Sequence, residues 1–323
     1  MKRTIGIGLF LLACLQGCAT YVEMTLSSRA HSGITYTGVE EAVKEAGGQI
    51  RQFCMPYLEG CTGYIYAPDN LELESYEFDF SVVASNDTLT YDLTLDRDQV
   101  PEVHRGTMIL LHGYGGSKEA MLWLANYYRF LGFHVIVPDL KGHGASTHDE
   151  PGFGVEDVDV LLALIDSLPA RERPHPLYIS GYSMGAVAAV HLAKQRDDIS
   201  GIVLFGPMRQ FEDAAAEVAK MSFRRLSKIM GDDSVREGVR NTLAKRGIDA
   251  RELDIHQLLE DFRVPTLIIA SNADPVAPYD YYMPLQSSSV TIKELPQRHH
   301  FLLTIINGEL HDIIYPWLNQ QRQ

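Results

Sequence analysis

The stretch that decides the fold is residues 177–190, "LYISGYSMGAVAAV". Its first half is apolar on both alternating faces, as in a strand buried between helices. Its second half is a run of small residues that reads as a helix, so the chain turns from strand to helix through "GYSMG", residues 181–185. A turn that sharp brings neighbouring backbone close, so the positions two before and two after its centre must be small; Gly181 and Gly185 supply that. Ser183 then projects at the start of a helix, where free N–H groups face a developing negative charge. The five residues alone leave a second reading, in which Ser183 only caps the helix. What surrounds the turn has to decide.

Outward from this stretch lie further short apolar runs: "TMILLHG", "FHVIVPD", "GIVLFGP", "VPTLIIASNAD" and "SVTIKELP". Between them, "AMLWLANYYRFLG" and "VEDVDVLLALIDSLP" carry apolar residues at helical spacing and stop at Gly132 and Pro169. Strand and helix alternate, which predicts an α/β fold with a mostly parallel central sheet and flanking helices. Ahead of these runs, "YEFDFSVVA" and "LTYDLTL" alternate polar and apolar residues around "SND", predicting an antiparallel hairpin at the start of the sheet. The connection at about residues 207–262 is far longer than such folds need. Its stretches "FEDAAAEVAKMSFRRLSKIM" and "SVREGVRNTLAKRG" are amphipathic and predict a helical cap. Met208, Phe211, Met221 and Phe223 in that cap are candidates to line an acyl pocket, or equally to pack its helices.

The beginning of the chain, "MKRTIGIGLFLLACLQGCAT", has two cations, a short apolar run and small residues before Cys18. That is the order of a secretory signal peptide, too short to span a bilayer stably. "LQGC" resembles the lipobox of bacterial lipoproteins, which implies a signal peptide over 1–17 and lipidation of Cys18. The expected address is the bacterial cell envelope, on the outer membrane facing the periplasm or surface if the source has two membranes. Two or more acyl chains anchor a domain stably. Of four cysteines, Cys14 leaves with the signal and Cys18 becomes the anchor. Cys54 and Cys61 remain, in an oxidising compartment, and are expected to form a disulfide within an N-terminal extension spanning 18–70. The formal net charge of −14 repels phosphate backbones and argues against nucleic acid as a partner. No metal-ligand cluster or cofactor motif is evident, and oligomeric state is not encoded legibly.

From residue 71 to 323 the chain resembles the α/β-hydrolase superfamily. "LLHGYGGS" is similar to its oxyanion loop, "PDLKGHGAS" to its Asp-x-Arg-Gly-His-Gly-x-Ser turn, "GYSMGA" to its nucleophile elbow, "SNADPVAP" to its acid turn, and "LPQRHHF" to its terminal histidine loop. The superfamily orders its triad nucleophile, acid, histidine, which here implies Ser183, Asp274 and His300. His299 is the rival to His300, and Asp280 a poorer rival to Asp274. The resemblance also implies an oxyanion hole from the backbone N–H groups of Tyr114 and Met184. His112, Asp139 and His143 are expected to shape turns rather than react. Lys141 stands where Arg is usual, Tyr182 where His is common, and Ala186 where a further Gly often follows; none of these removes a reacting group. The branch most resembled is that of lysophospholipases, monoacylglycerol lipases and serine aminopeptidases. It implies a serine hydrolase cleaving a small-molecule or lipid carboxylic ester through an acyl-enzyme, with no cofactor. A peptidase or amidase on the same triad, and a non-catalytic envelope lipoprotein, are the alternatives.

Overall fold

The computed structural model describes residues 17–30, 36–55, 60–84 and 87–322. The expected signal segment lies outside the described residues apart from Gly17. Eight strands form one sheet in the order β1-β2-β6-β5-β7-β8-β9-β10. They are β1 (Gln49–Cys54), β2 (Cys61–Ala67), β5 (Gly106–Leu111), β6 (Phe133–Pro138), β7 (Leu177–Tyr182), β8 (Ile199–Phe205), β9 (Thr266–Ala270) and β10 (Val290–Glu294). From β6 to β10 every neighbouring pair is parallel. β5 and β9 are buried along their whole length, which is why their sequences show no polar alternation. Helices Leu122–Phe130, Val158–Ser167, Met184–Lys194 and Gly308–Gln320 connect or follow the strands and bury apolar faces in two core layers.

Two expectations about the front of the chain need correction. The antiparallel hairpin that opens the main sheet is β1–β2, and β2 pairs with β6. The sheet therefore begins at Gln49, ahead of the boundary expected at residue 71. β2 is buried along six of its seven positions, so residues 61–67 are core, not appendage. The alternating segment, β3 (Ser75–Ala84) and β4 (Asp87–Asp96), pairs only with itself as a separate two-stranded sheet. Its alternation encodes one buried face, and that face packs on a helix: Tyr76 lies against Tyr127 and Phe130, and Phe80 against Trp123. Cys54 and Cys61 are register partners of β1 and β2, and a disulfide joins them.

The long connection after β8 is helical. Helices Phe211–Ser222, Arg224–Met230 and Asp232–Arg246 form the cap, broken at Phe223 and Gly231. Residues 17–26 are helical and lie along the third cap helix as a strap. A Cβ at Gly238 would sit 2.5 Å from Val22 Cβ and 2.7 Å from the Ala19 carbonyl, so this contact needs glycine. Arg29 fastens the far end of the strap by donating to the carbonyls of Gly144 (2.9 Å), Ser146 (2.5 Å) and His148 (2.9 Å).

Candidate active site

Ligands collect beyond the carboxyl ends of parallel strands, and all the candidate side chains sit there. Ser183 follows β7 directly and is held at φ 53°, ψ −114°. A non-glycine residue in that region is strained and persists only where its surroundings fix it. Here they do: Ser183 N–H donates to the Phe205 carbonyl (3.0 Å), and both flanking glycines are in backbone contact. A Cβ on Gly181 would fall 2.5 Å from the Gly185 carbonyl oxygen, and one on Gly185 2.2 Å from that of Leu111. The Ser183 side chain makes no cap bond to the helix it precedes, which removes the capping alternative.

Ser183 Oγ lies 2.9 Å from His300 Nε2. His300 Nδ1 lies 2.7 Å from Asp274 Oδ2. Asp274 Oδ1 accepts from the N–H groups of Val276 (2.8 Å) and Ala277 (3.1 Å), so neither carboxylate oxygen is idle. Asp274 is fully buried and His300 nearly so, which strengthens their interaction by excluding water. The two loops that carry them are tied together by Ser271, whose Oγ accepts from Ala273 N–H (3.1 Å) and Arg298 N–H (3.2 Å). Arg298 in turn donates to the carbonyls of Leu302 (3.0 Å) and Ile305 (2.9 Å), with Tyr91 of β4 4.0 Å from its guanidinium carbon.

The loop after β5 lies beside Ser183. A Cβ on Gly113 would be 3.2 Å from Ser183 Cβ, so Tyr114 follows a residue in contact with the elbow. Met184 opens helix Met184–Lys194, where the first N–H groups have no intrahelical acceptor. His112 accepts from Leu140 N–H at Nε2 (3.0 Å), which leaves its Nδ1–H to donate to the Gly113 carbonyl (2.8 Å). Burial pushes this histidine down to about 4, so it is neutral and structural.

Known proteins resemble this chain in sequence over its middle part and in fold over the whole. The family model described as "Serine aminopeptidase, S33" matches residues 102–253, which include the Tyr114 loop, the elbow and most of the cap. A thermostable monoacylglycerol lipase of Bacillus sp. (strain H-257) is 28% identical over 183 residues, covering 53% of this chain and 71% of that protein. Phospholipase YtpA of Bacillus subtilis (strain 168) is 28% identical over 151 residues, 46% of this chain and 58% of the relative. A solved structure of a bacterial membrane phospholipase A superposes with a TM-score of 0.55 at 16% identity and full coverage of both chains, a likeness of fold. The chain has the α/β-hydrolase fold, and over residues 102–253 it is similar to the serine aminopeptidase family.

In this α/β hydrolase the rival residues are elsewhere engaged. His299 is exposed at the start of the short turn His300–Leu302. Asp280 is exposed and exchanges hydrogen bonds with Asn272. Asp139 accepts from Lys118 N–H and Nζ and from Ala145 N–H, so it builds the turn after β6. Burial pushes His143 down to about 3, and its Nδ1–H donates to the Lys141 carbonyl at 2.7 Å. Of the four cap residues named for an acyl pocket, Met208 and Phe211 are buried, whereas Phe223 is 59% exposed. Met221 is half-buried.

Sequence reasoning missed Phe153. It sits between two glycines at φ 52°, fully buried, stacked on Tyr114 and 5.3 Å from Phe211. Arg246, at the end of the third cap helix, donates to the Pro151 carbonyl (3.0 Å), pairs with Glu150 and Glu156, and lies 5.6 Å from the Phe153 ring. The cap is thus latched to the loop that backs Tyr114. The signal in the sequence was "GFG", an aromatic residue held between glycines.

Proposed function

We propose that this α/β hydrolase cleaves a carboxylic ester of a lipid or small molecule through an acyl-enzyme, anchored to a membrane by lipid on Cys18. The observation that carries the chemistry is the continuous Ser183–His300–Asp274 relay, with separations of 2.9 and 2.7 Å. Ser183 Oγ attacks the ester carbonyl carbon while His300 Nε2 takes its proton. The oxyanion is received by the N–H groups of Met184 and Tyr114. As the tetrahedral species collapses, the C–O bond to the leaving group breaks and His300 returns the proton to the leaving alkoxide. Water, deprotonated by His300, then frees the acid from Ser183. Asp274 stays ionised throughout, orienting the imidazole and stabilising its charged form.

An ester substrate is supported by the lipase and phospholipase relatives. Anchorage is supported by the lipobox-like "LQGC", and an envelope location follows from the same reading. A second reading, hydrolysis of an amide, is favoured by the description of the matching family model. Initial rates on p-nitrophenyl acyl esters and on aminoacyl p-nitroanilides separate the two. The ester reading predicts turnover of the acyl series that is lost in Ser183→Ala; preference for anilides overturns it. Mass spectrometry of the N-terminal peptide from membranes tests the anchor: the prediction is an acylated Cys18, and an unmodified cysteine contradicts it.

A further inference from the structure

The second cap helix differs from its neighbours in what it shows to solvent. Phe223, Leu226 and Ile229 are 59%, 37% and 78% exposed, three large apolar side chains within seven residues. On a helical wheel of 100° per residue, Leu226 and Ile229 share an arc with the buried Met230, which roots the helix in the cap. Arg224, Arg225 and Lys228 occupy the opposite arc and are exposed.

Their charges are unmatched. Every cation on the first and third cap helices is ion-paired: Lys220 with Asp232, Arg236 with Asp213, Arg240 with Glu212, Lys245 with Glu23 and Arg246 with Glu156. Arg224, Arg225 and Lys228 have no ion pair among the described residues, although the chain as a whole carries −14. A soluble face would pair its cations and hide its apolar residues, as the two flanking helices do. An isolated cationic and apolar helix on an acidic protein is complementary to one kind of surface, an anionic bilayer, which takes apolar side chains below its headgroups and matches cations at them.

Two other places in the molecule also expose large apolar side chains. Tyr21 and Met24 are 54% and 68% exposed on the strap whose Ala19 and Val22 pack against Gly238 of the third cap helix. Phe301, next to His300, is 55% exposed.

We infer that the cap segment 223–229 is a membrane-contacting element that seats in the surface of a bilayer containing anionic phospholipid, holding the cap of the ester hydrolase against its lipid substrate. The inference rests on the lipid-ester reading for its purpose but not for its test. The chain from residue 18 onward carrying Cys18→Ser, and so without signal segment or acyl groups, is sedimented with vesicles of phosphatidylglycerol and phosphatidylcholine and with vesicles of phosphatidylcholine alone. Partitioning onto the mixed vesicles is expected, weakened by raised salt. In this background Arg224→Glu/Arg225→Glu/Lys228→Glu is expected to lower partitioning about 100-fold or more. Leu226→Ser/Ile229→Ser is expected to lower it about 50-fold, the transfer value of two side chains scaled to their exposed fractions of 37% and 78%. Circular dichroism and an unchanged thermal midpoint certify the fold of each variant. Equal partitioning of all three proteins overturns the inference, as does failure of the parent to bind mixed vesicles. Concentration-dependent self-association abolished by the same substitutions also overturns it, by making a second copy the occupant. Loss of ester turnover with vesicle binding intact would fault the functional reading and leave this surface standing.

Discussion

The carboxyl end of the sheet and the cap above it are built on opposite principles. Around Ser183 the backbone itself is the device: two glycines admit carbonyl oxygens at separations no Cβ could tolerate, and a strained serine is held at the start of helix Met184–Lys194. In the cap the devices are side chains at the surface, mostly ion pairs between helices, plus one helix with exposed apolar residues. The contrast teaches where precision is required. Reaction geometry is fixed by packing that cannot relax, whereas the cap is joined by interactions that water and salt weaken.

The contrast can be broken most sharply at the relay. Asp274→Asn keeps the shape but reverses the hydrogen-bonding role of the group facing His300 Nδ1, and is expected to lower kcat by about 10⁴-fold, roughly 5.5 kcal/mol in the barrier. Steady-state kinetics on an acyl ester measure this, and a change below tenfold would remove Asp274 from the relay. Next is the backbone. Gly185→Ala places a Cβ 2.2 Å from the Leu111 carbonyl oxygen, and is expected to cost about 3 kcal/mol or more in urea denaturation. A wild-type midpoint would show that the elbow can relax after all.

The pH dependence of stability sharpens the same distinction. Burial pushes His104 and His112 down to about 4 and His143 down to about 3. Between their ordinary value of about 6.5 and those values the unfolded chain binds protons that the folded chain does not. Their stabilising effect is therefore complete above about pH 6.5 and is lost as pH falls. Each histidine contributes a slope of about 1.4 kcal/mol per pH unit at most. Asp157 runs the other way: burial pushes its carboxyl up to about 6, so the folded state gains stability as pH falls through that value. The histidines outnumber it, so the thermal midpoint is expected to drop between pH 7 and pH 5; a flat or rising midpoint contradicts this balance. The smallest effect belongs to the cap. Arg240→Ala removes the 2.7 Å pair with Glu212 between two half-exposed side chains and is expected to cost under about 1 kcal/mol, seen as a shift of a few degrees or less.

Much of this was legible in the sequence because it is locally encoded. The six strands from β5 to β10 without the hairpin follow apolar runs that match their observed bounds to within a few residues, and the elbow is written in five consecutive residues. What was not legible depends on distant pairing. β2 is a buried strand only because β6, some seventy residues later, lies beside it. The alternation of β3 and β4 told that one face is buried but not that it rests on a helix rather than the sheet. Ser271 and Arg298 look like ordinary loop residues in sequence, and their joining of the acid and histidine loops appears only when β9 and β10 are paired. The clasp of Arg246 on the loop behind Phe153 likewise spans the whole cap.

The central claim is that the packed elbow makes Ser183 a nucleophile through His300. Reaction of the folded protein with a fluorophosphonate, followed by peptide mass spectrometry, tests it most directly. The account predicts one phosphonyl group per chain, on the peptide containing Ser183, and none in Ser183→Ala. Absence of labelling in the wild-type protein, or equal labelling of the variant, would contradict it.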